Sequence, residues 1–142
     1  CRELVFCGYG EPTERLDVLL EVAGCFRKAH PGMPIRVNTN GLSDLIAGEP
    51  TAHRFKDLVD TMSISLNAPT AEEYVALCRP KFGATAYPAM LRFAEEVKCF
   101  VPNTVFTVVG TESLTPEKET ACRRIAAARG IPLRVRRFVP KG

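Results

Sequence analysis

Val5-Phe6-Cys7-Gly8-Tyr9-Gly10-Glu11-Pro12-Thr13 is the stretch on which the reading of this chain turns. Val5, Phe6 and Cys7 close a short apolar run with the character of a buried parallel strand. Two glycines, Gly8 and Gly10, then allow the backbone to turn sharply beside a ligand, and helical periodicity begins at Leu16. A carboxylate, Glu11, is left at the carboxyl end of the strand. Ligands of α/β proteins bind there, because the loops at that end of the sheet converge on one crevice. The competing reading is a plain strand-to-helix turn in which Glu11 complements the positive end of the helix.

Outward from this turn, β-rich runs alternate with amphipathic segments. Leu16, Leu19, Leu20, Ala23 and Phe26 share one helical face between Arg15 and Ala29, and Pro31-Gly32 ends that helix. Ile35 to Thr39 reads as a strand, Asn40-Gly41 as a turn, and Leu42–Ala47 with Ala52–Leu58 as two short helical pieces. Thr61 to Leu66 alternates polar and apolar residues as a strand does. Thr70 with Glu73 makes a capping box for a helix ending near Cys78, and a longer helix runs from Ala84 or Tyr87 to about Cys99. Val105–Val109 is a further strand, Thr115-Pro116-Glu117 starts a helix, Gly130 stops it, and Leu133–Phe138 is the last strand. Strands separated by helices of this length pair in parallel through right-handed crossovers. The expected fold class is therefore α/β, a partial (β/α) barrel of parallel strands, with a flat doubly wound sheet as the second choice.

The 142 residues suffice for one domain with a real core, since a chain of this size buries roughly two-thirds of its unfolded surface. Charged residues at 25% and hydrophobic ones at 46% describe an ordinary globular protein, and no apolar stretch approaches a membrane span. A cytoplasmic location follows as the expectation. The net charge of +3 is small, so composition does not argue for nucleic-acid binding, although Arg134, Arg136 and Arg137 form a basic cluster. The six cysteines, at 1, 7, 25, 78, 99 and 122, lie far apart without Cys-x-x-Cys spacing and read as reduced thiols. His30 and His53 lack metal-ligand spacing. The chain opens at Cys1 in what is already a strand, without an initiating methionine or signal peptide, and is expected to be an excised piece without an internal domain boundary.

In a parallel sheet every strand ends on the same side, and small polar residues recur at that rim. Glu11 follows the first strand, Asn38, Thr39 and Asn40 the second, Ser63, Ser65 and Asn67 the third, and Gly110 the fourth. Such a ring suits a ligand bearing an amine, a carboxylate and a ribose, each of which needs hydrogen bonds of a different sense. Glu11 can accept from an ammonium, Thr39 and Ser65 can donate to a carboxylate, and Asn38, Asn40 or Asn67 can bond ribose hydroxyls. Each residue also has a local reading, as a turn former or as a satisfier of strand-end backbone.

Phe6-Cys7-Gly8-Tyr9-Gly10-Glu11-Pro12-Thr13, Val37-Asn38-Thr39-Asn40-Gly41 and Ser63-Ile64-Ser65-Leu66-Asn67 resemble, in order and spacing, the successive strand ends of radical S-adenosylmethionine enzymes. The resemblance runs from Arg2 to about Phe138 and looks closest to the radical SAM proteins associated with TatD-type nucleases. It implies a partial (β/α) barrel that binds S-adenosylmethionine. Gly10 and Glu11 then belong to the segment holding the methionyl amine, as Tyr-Gly-Glu where Gly-Gly-Glu is commoner. Thr39 and Ser65 touch the methionyl carboxylate, Asn67 the ribose region, and Val109 with Gly110 the adenine. It also implies a [4Fe-4S] cluster on Cys-x-x-x-Cys-x-x-Cys, a spacing that the six cysteines lack. The expectation is a cofactor-cradling piece whose cluster-binding unit lies upstream of Cys1, and which is catalytically silent alone. In the intact protein the implied partners are an electron donor and a substrate of unknown identity, with a 5′-deoxyadenosyl radical abstracting hydrogen. Tyr9, Tyr87, Arg79 and Lys81 are candidates for the substrate side.

Two competing functions are weaker. An acid–base or Schiff-base barrel enzyme needs a lysine or a carboxylate pair at strand ends, where only Glu11 and Glu112 stand. A non-enzymatic nucleic-acid or partner-binding module would use the C-terminal arginines. Alternation divides these between the two faces of the strand, with Arg134 and Arg136 on one and Arg137 on the other.

Overall fold

The computed structural model describes residues 3–6, 11–110 and 114–137. Within them the alternating pattern becomes five strands, β1 (Leu4–Phe6), β2 (Ile35–Thr39), β3 (Thr61–Ser65), β4 (Asn103–Gly110) and β5 (Leu133–Arg137). Between them run five α-helices, α1 (Leu16–Ala29), α2 (Ser43–Ala47), α3 (Ala71–Cys78), α4 (Ala86–Val97) and α5 (Pro116–Ala128). Short 3-10 turns at Pro12–Arg15 and Ala52–Phe55 replace the helical starts predicted at Arg15 and over Ala52–Leu58. The capping residues act as their types predict. The Thr70 side chain accepts from the Glu73 amide and the Thr115 side chain from the Lys118 amide, each satisfying a free N–H in the first turn. Gly130 has φ +66, the left-handed conformation that follows a helix end.

All four strand pairings are parallel, and the order β1-β2-β3-β4-β5 follows the chain. A doubly wound sheet needs a point at which strand order reverses, and none occurs among the described residues. The fold is thus a partial (β/α) barrel-like α/β structure, and the flat alternative drops out.

Strand alternation divides the sheet into two unlike faces. Ile35, Val37, Met62, Ile64, Phe106 and Val108 are fully buried on the helix-covered face. There they meet Leu19 and Ala23 of α1 and Met90, Phe93, Ala94 and Val97 of α4 in one hydrophobic cluster. Phe55 and Phe93 pack edge to face, 6.1 Å between centroids. The opposite face carries Arg36, Asn38, Ser63, Ser65, Thr107, Val109, Arg134 and Arg136 by register, and no helix row of this kind covers it among the described residues.

Asp60 ties the amino-terminal end of the sheet together. Its Oδ2 accepts from Arg27 Nη2 and from the Ile35 amide, both at 2.7 Å, while its carbonyl accepts from the Asn103 amide at 3.1 Å. That end is built for stability, which leaves the carboxyl ends free to vary.

Gly41, just past β2, holds φ +77, and a Cβ there would lie 2.8 Å from Met90 Cγ and 3.0 Å from Ile64 Cγ2, both in buried side chains. Gly41→Ala is therefore expected to destabilise the fold by about 2 kcal/mol, combining left-handed strain with overpacking. A urea midpoint equal to that of the parent chain would contradict this.

Candidate functional site

The segment after β1 and the carboxyl end of β2 are tied together by one carboxylate. Glu11 Oε2 accepts from the Thr13 amide at 3.0 Å, Thr13 Oγ1 at 2.5 Å and Thr39 Oγ1 at 2.6 Å. Its Oε1 accepts from the Asn40 amide at 2.8 Å. Glu11 therefore caps the 3-10 turn, as the plain-turn reading holds, and also bonds the segment after β1 to the end of β2. Oε2 has no acceptor capacity left, whereas Oε1 keeps one lone pair. Thr39 accepts in turn from the Gly41 amide at 3.1 Å, and Asn40 Oδ1 accepts from the Leu42 amide at 3.0 Å in a local turn.

Beside this knot lies a cavity of about 740 Å³, a size suited to a small-molecule ligand. Asn40, Ser65 and Asn67 bring side chains to it from the ends of β2 and β3; Tyr74 and Cys78 of α3 and Lys81 and Phe82 beyond it form much of the remaining wall. A second cavity of about 580 Å³ adjoins it and is mostly apolar, with Leu77, Val109 and Leu114 in its lining. Asn67 and Cys78 line both, and the two residues are bonded, Asn67 Nδ2 donating to Cys78 Sγ at 3.4 Å. Lys118 and Glu73, which pair at 3.3 Å, contribute the charges of the apolar cavity. Asn67 has φ +63, a left-handed backbone unusual outside glycine and one that asparagine tolerates better than most residues.

The predicted site residues other than Glu11 thus fall into four sets. Asn40, Ser65 and Asn67 meet at the polar cavity, and Val109, 48% exposed, lines the apolar one. Thr39 and Ser63 are buried and engaged within the chain. The Thr39 hydroxyl donates to Glu11 from the helix-covered face, and Ser63 Oγ accepts from Arg36 Nη1 at 3.2 Å. Asn38 is half-buried opposite Ser63 on the uncovered face, and Gly110 closes β4. Gly8 and Gly10 lie outside the described residues, as do Tyr9 and Glu112.

Tyr74, Cys78 and Phe82 are wall residues to which the pattern of strand ends gives no clue. Their positions follow from how α3 and the loop after it fold back over the rim. For Thr39 a signal was present, since alternation from Ile35 and Val37 puts it on the helix side and Asn38 on the other.

Burial pushes the Tyr74 hydroxyl up to about 12, helped by the nearby Cys78 and Glu11 charges, and burial likewise pushes Tyr87 to about 12. Burial raises Cys122 to about 11, with Glu73 and Glu119 adding to it. All three stay protonated at neutral pH, so none is a base at this site. In the unfolded chain they ionise near 10, 10 and 9. The folded state therefore binds more protons between about pH 9 and 12, and stability present below pH 9 is lost as pH rises through that window. The urea midpoint should fall steeply there, with Tyr74 and Tyr87 phenolate absorbance appearing only on unfolding. Titration of both rings at pH 10 in the folded chain would contradict this.

Among the described residues no group of three or more His, Cys, Asp or Glu side chains could hold a metal ion. Cys25, Cys78, Cys99 and Cys122 are free thiols on separate segments. These residues do not fit an iron–sulfur cluster. No helix among them is long and apolar enough to cross a membrane.

A parallel sheet with successive strands, helices on one face and a polar crevice at the strand ends defines the class as a partial (β/α) barrel with a rim site. No family model matches the sequence, and no curated protein matches it. Among solved structures the chain is similar to a radical SAM methyltransferase from Sphaerobacter thermophilus, with a TM-score of 0.55 and 19% identity. The match covers 98% of this chain and 52% of that one, so the chain spans about half the length of the methyltransferase. At this identity the likeness establishes a shared fold.

Proposed function

We propose that this chain is the S-adenosylmethionine-cradling part of a radical SAM enzyme, of the kind associated with TatD-type nucleases. The observation that carries the reading is the meeting of Asn40, Ser65 and Asn67 at one ligand-sized cavity beside the Glu11 knot. The fold shared with the methyltransferase supports it. The donor set fits the cofactor's polar groups. Ser65 offers a hydroxyl to the methionyl carboxylate, Asn40 and Asn67 offer amides to the ribose, and the adjoining cavity with Val109 and Leu114 offers an apolar surface to the base. Oε1 of Glu11 can accept one more hydrogen bond, which suits an ammonium.

The chemistry the cofactor supplies in this class is a 5′-deoxyadenosyl radical for hydrogen abstraction. The work of this chain is to orient it and to exclude water. Tyr74, held neutral and buried, contributes packing and no proton. Since the described cysteines do not fit a cluster, we assign that function to a unit upstream of Cys1 and expect the 142-residue chain alone to be inactive. Reading the coding sequence upstream of Cys1 tests this assignment. The expected result is a further strand followed by Cys-x-x-x-Cys-x-x-Cys; a start codon directly before Cys1 would overturn it.

A further inference from the structure

We propose that Arg134 and Arg136 form a binding site for a phosphate monoester carried by a small-molecule substrate, on the uncovered face of the sheet beside the rim. As a substrate site, it rests on the enzyme reading above.

Register places the pair. Arg134 stands opposite Thr107 and Arg136 opposite Val109, at the carboxyl half of β4 and β5 and on the face away from the helices. Val109 lines the apolar cavity, so the arginines border the same end of the sheet as the candidate cofactor site. Two residues apart on one strand face, their Cα atoms are about 7 Å apart, within reach of one tetrahedral anion for two long side chains. Guanidinium groups match phosphate oxygens through paired N–H donors, and two of them balance a dianion.

Both residues are exposed, and neither side chain has a hydrogen-bond or ion-pair partner among the described residues. Some of the other arginines have such partners. Arg27 pairs with Asp60, Arg54 with Asp17 and Arg123 with Glu119. Arg36, the third arginine on this face, is held by Ser63 Oγ and lies 3.6 Å from Glu3. Like charges adjacent on one face repel each other, so an unpaired guanidinium couple is disfavoured unless an anion joins them. A solvated edge also uses charges, yet single or alternating charges achieve that without the repulsion. Nucleic acid is the poorer occupant, since the net charge is only +3.

The test is a titration of the 15N-labelled chain with inorganic phosphate, followed by amide shifts and repeated on R134S/R136S and on the charge-matched helix variant R123S/R124S. Saturable shifts in residues 107–110 and 133–137 are expected, with affinity at least tenfold weaker in R134S/R136S and within twofold of the parent in R123S/R124S. Should the serine pair fail to fold by circular dichroism, R134K/R136K keeps the charge without the planar fork and should bind threefold to tenfold more weakly. Equal weakening in both charge-matched variants, or no saturable shift, would overturn the site. A single-stranded 12-nucleotide DNA that displaces phosphate from these amides with a steep salt dependence would overturn the small-molecule assignment. Titrating S-adenosylmethionine into the same samples separates the two readings. Phosphate binding without cofactor binding leaves this anion site standing and removes the enzyme reading, and the reverse removes only the anion site.

Discussion

Glu11→Gln is expected to lower the unfolding midpoint by about 10 °C, a loss of roughly 3 kcal/mol, and to abolish cofactor binding at the rim. The substitution keeps size and shape and replaces one carboxylate oxygen by an NH2 donor. Either oxygen already faces a fixed backbone N–H, Oε2 that of Thr13 and Oε1 that of Asn40. Whichever way the amide is turned, a donor meets a donor. The Thr13 and Thr39 hydroxyls can rotate to new partners, but the two main-chain amides cannot. Thr13 and Thr39 are 2% and 3% exposed, so water does not readily repair the loss. Differential scanning calorimetry measures it, and a midpoint within 2 °C of the parent would show that the knot is not a structural tie.

Asn67→Gly separates binding from stability in the opposite sense. At φ +63 glycine relieves left-handed strain, and the bond given up, to Cys78 Sγ at 3.4 Å, is a weak one. Stability should therefore stay within about 1 kcal/mol of the parent. The Asn67 carboxamide is nonetheless the side chain shared by the polar and apolar cavities, where ribose and base would join. Its removal is expected to weaken S-adenosylmethionine binding at least tenfold, about 1.4 kcal/mol. Unchanged binding with unchanged stability would mean that Asn67 serves only the turn.

Much of the architecture is legible in the sequence because it rests on local physics. Leu16, Leu19 and Ala23 show the helix face, Thr70 and Thr115 the caps, and Ile35-Arg36-Val37 the strand period, each within a few residues of chain. The choice between barrel and doubly wound sheet is not local. It depends on strand order, and the same alternation of elements is compatible with both. The site is legible to the extent that it lies at strand ends. Asn40, Ser65 and Asn67 follow their strands directly and meet, whereas Ser63 is drawn out of reach by Arg36, a partner 27 positions away that only the register brings close. The double role of Glu11 combines both kinds of information. The cap on Thr13 is local, and the bonds to Thr39 and Asn40 span about 28 residues and depend on parallel pairing of β1 with β2.

The most direct test of the account is a titration of the 15N-labelled chain with S-adenosylmethionine, read amide by amide. Saturable shifts are expected at Asn40, Ser65, Asn67 and Gly110, at the carboxyl ends of the strands, with Ile35, Thr61 and Asn103 at the amino-terminal end of the sheet unmoved. A non-saturating response, or one centred on the helices, would contradict it.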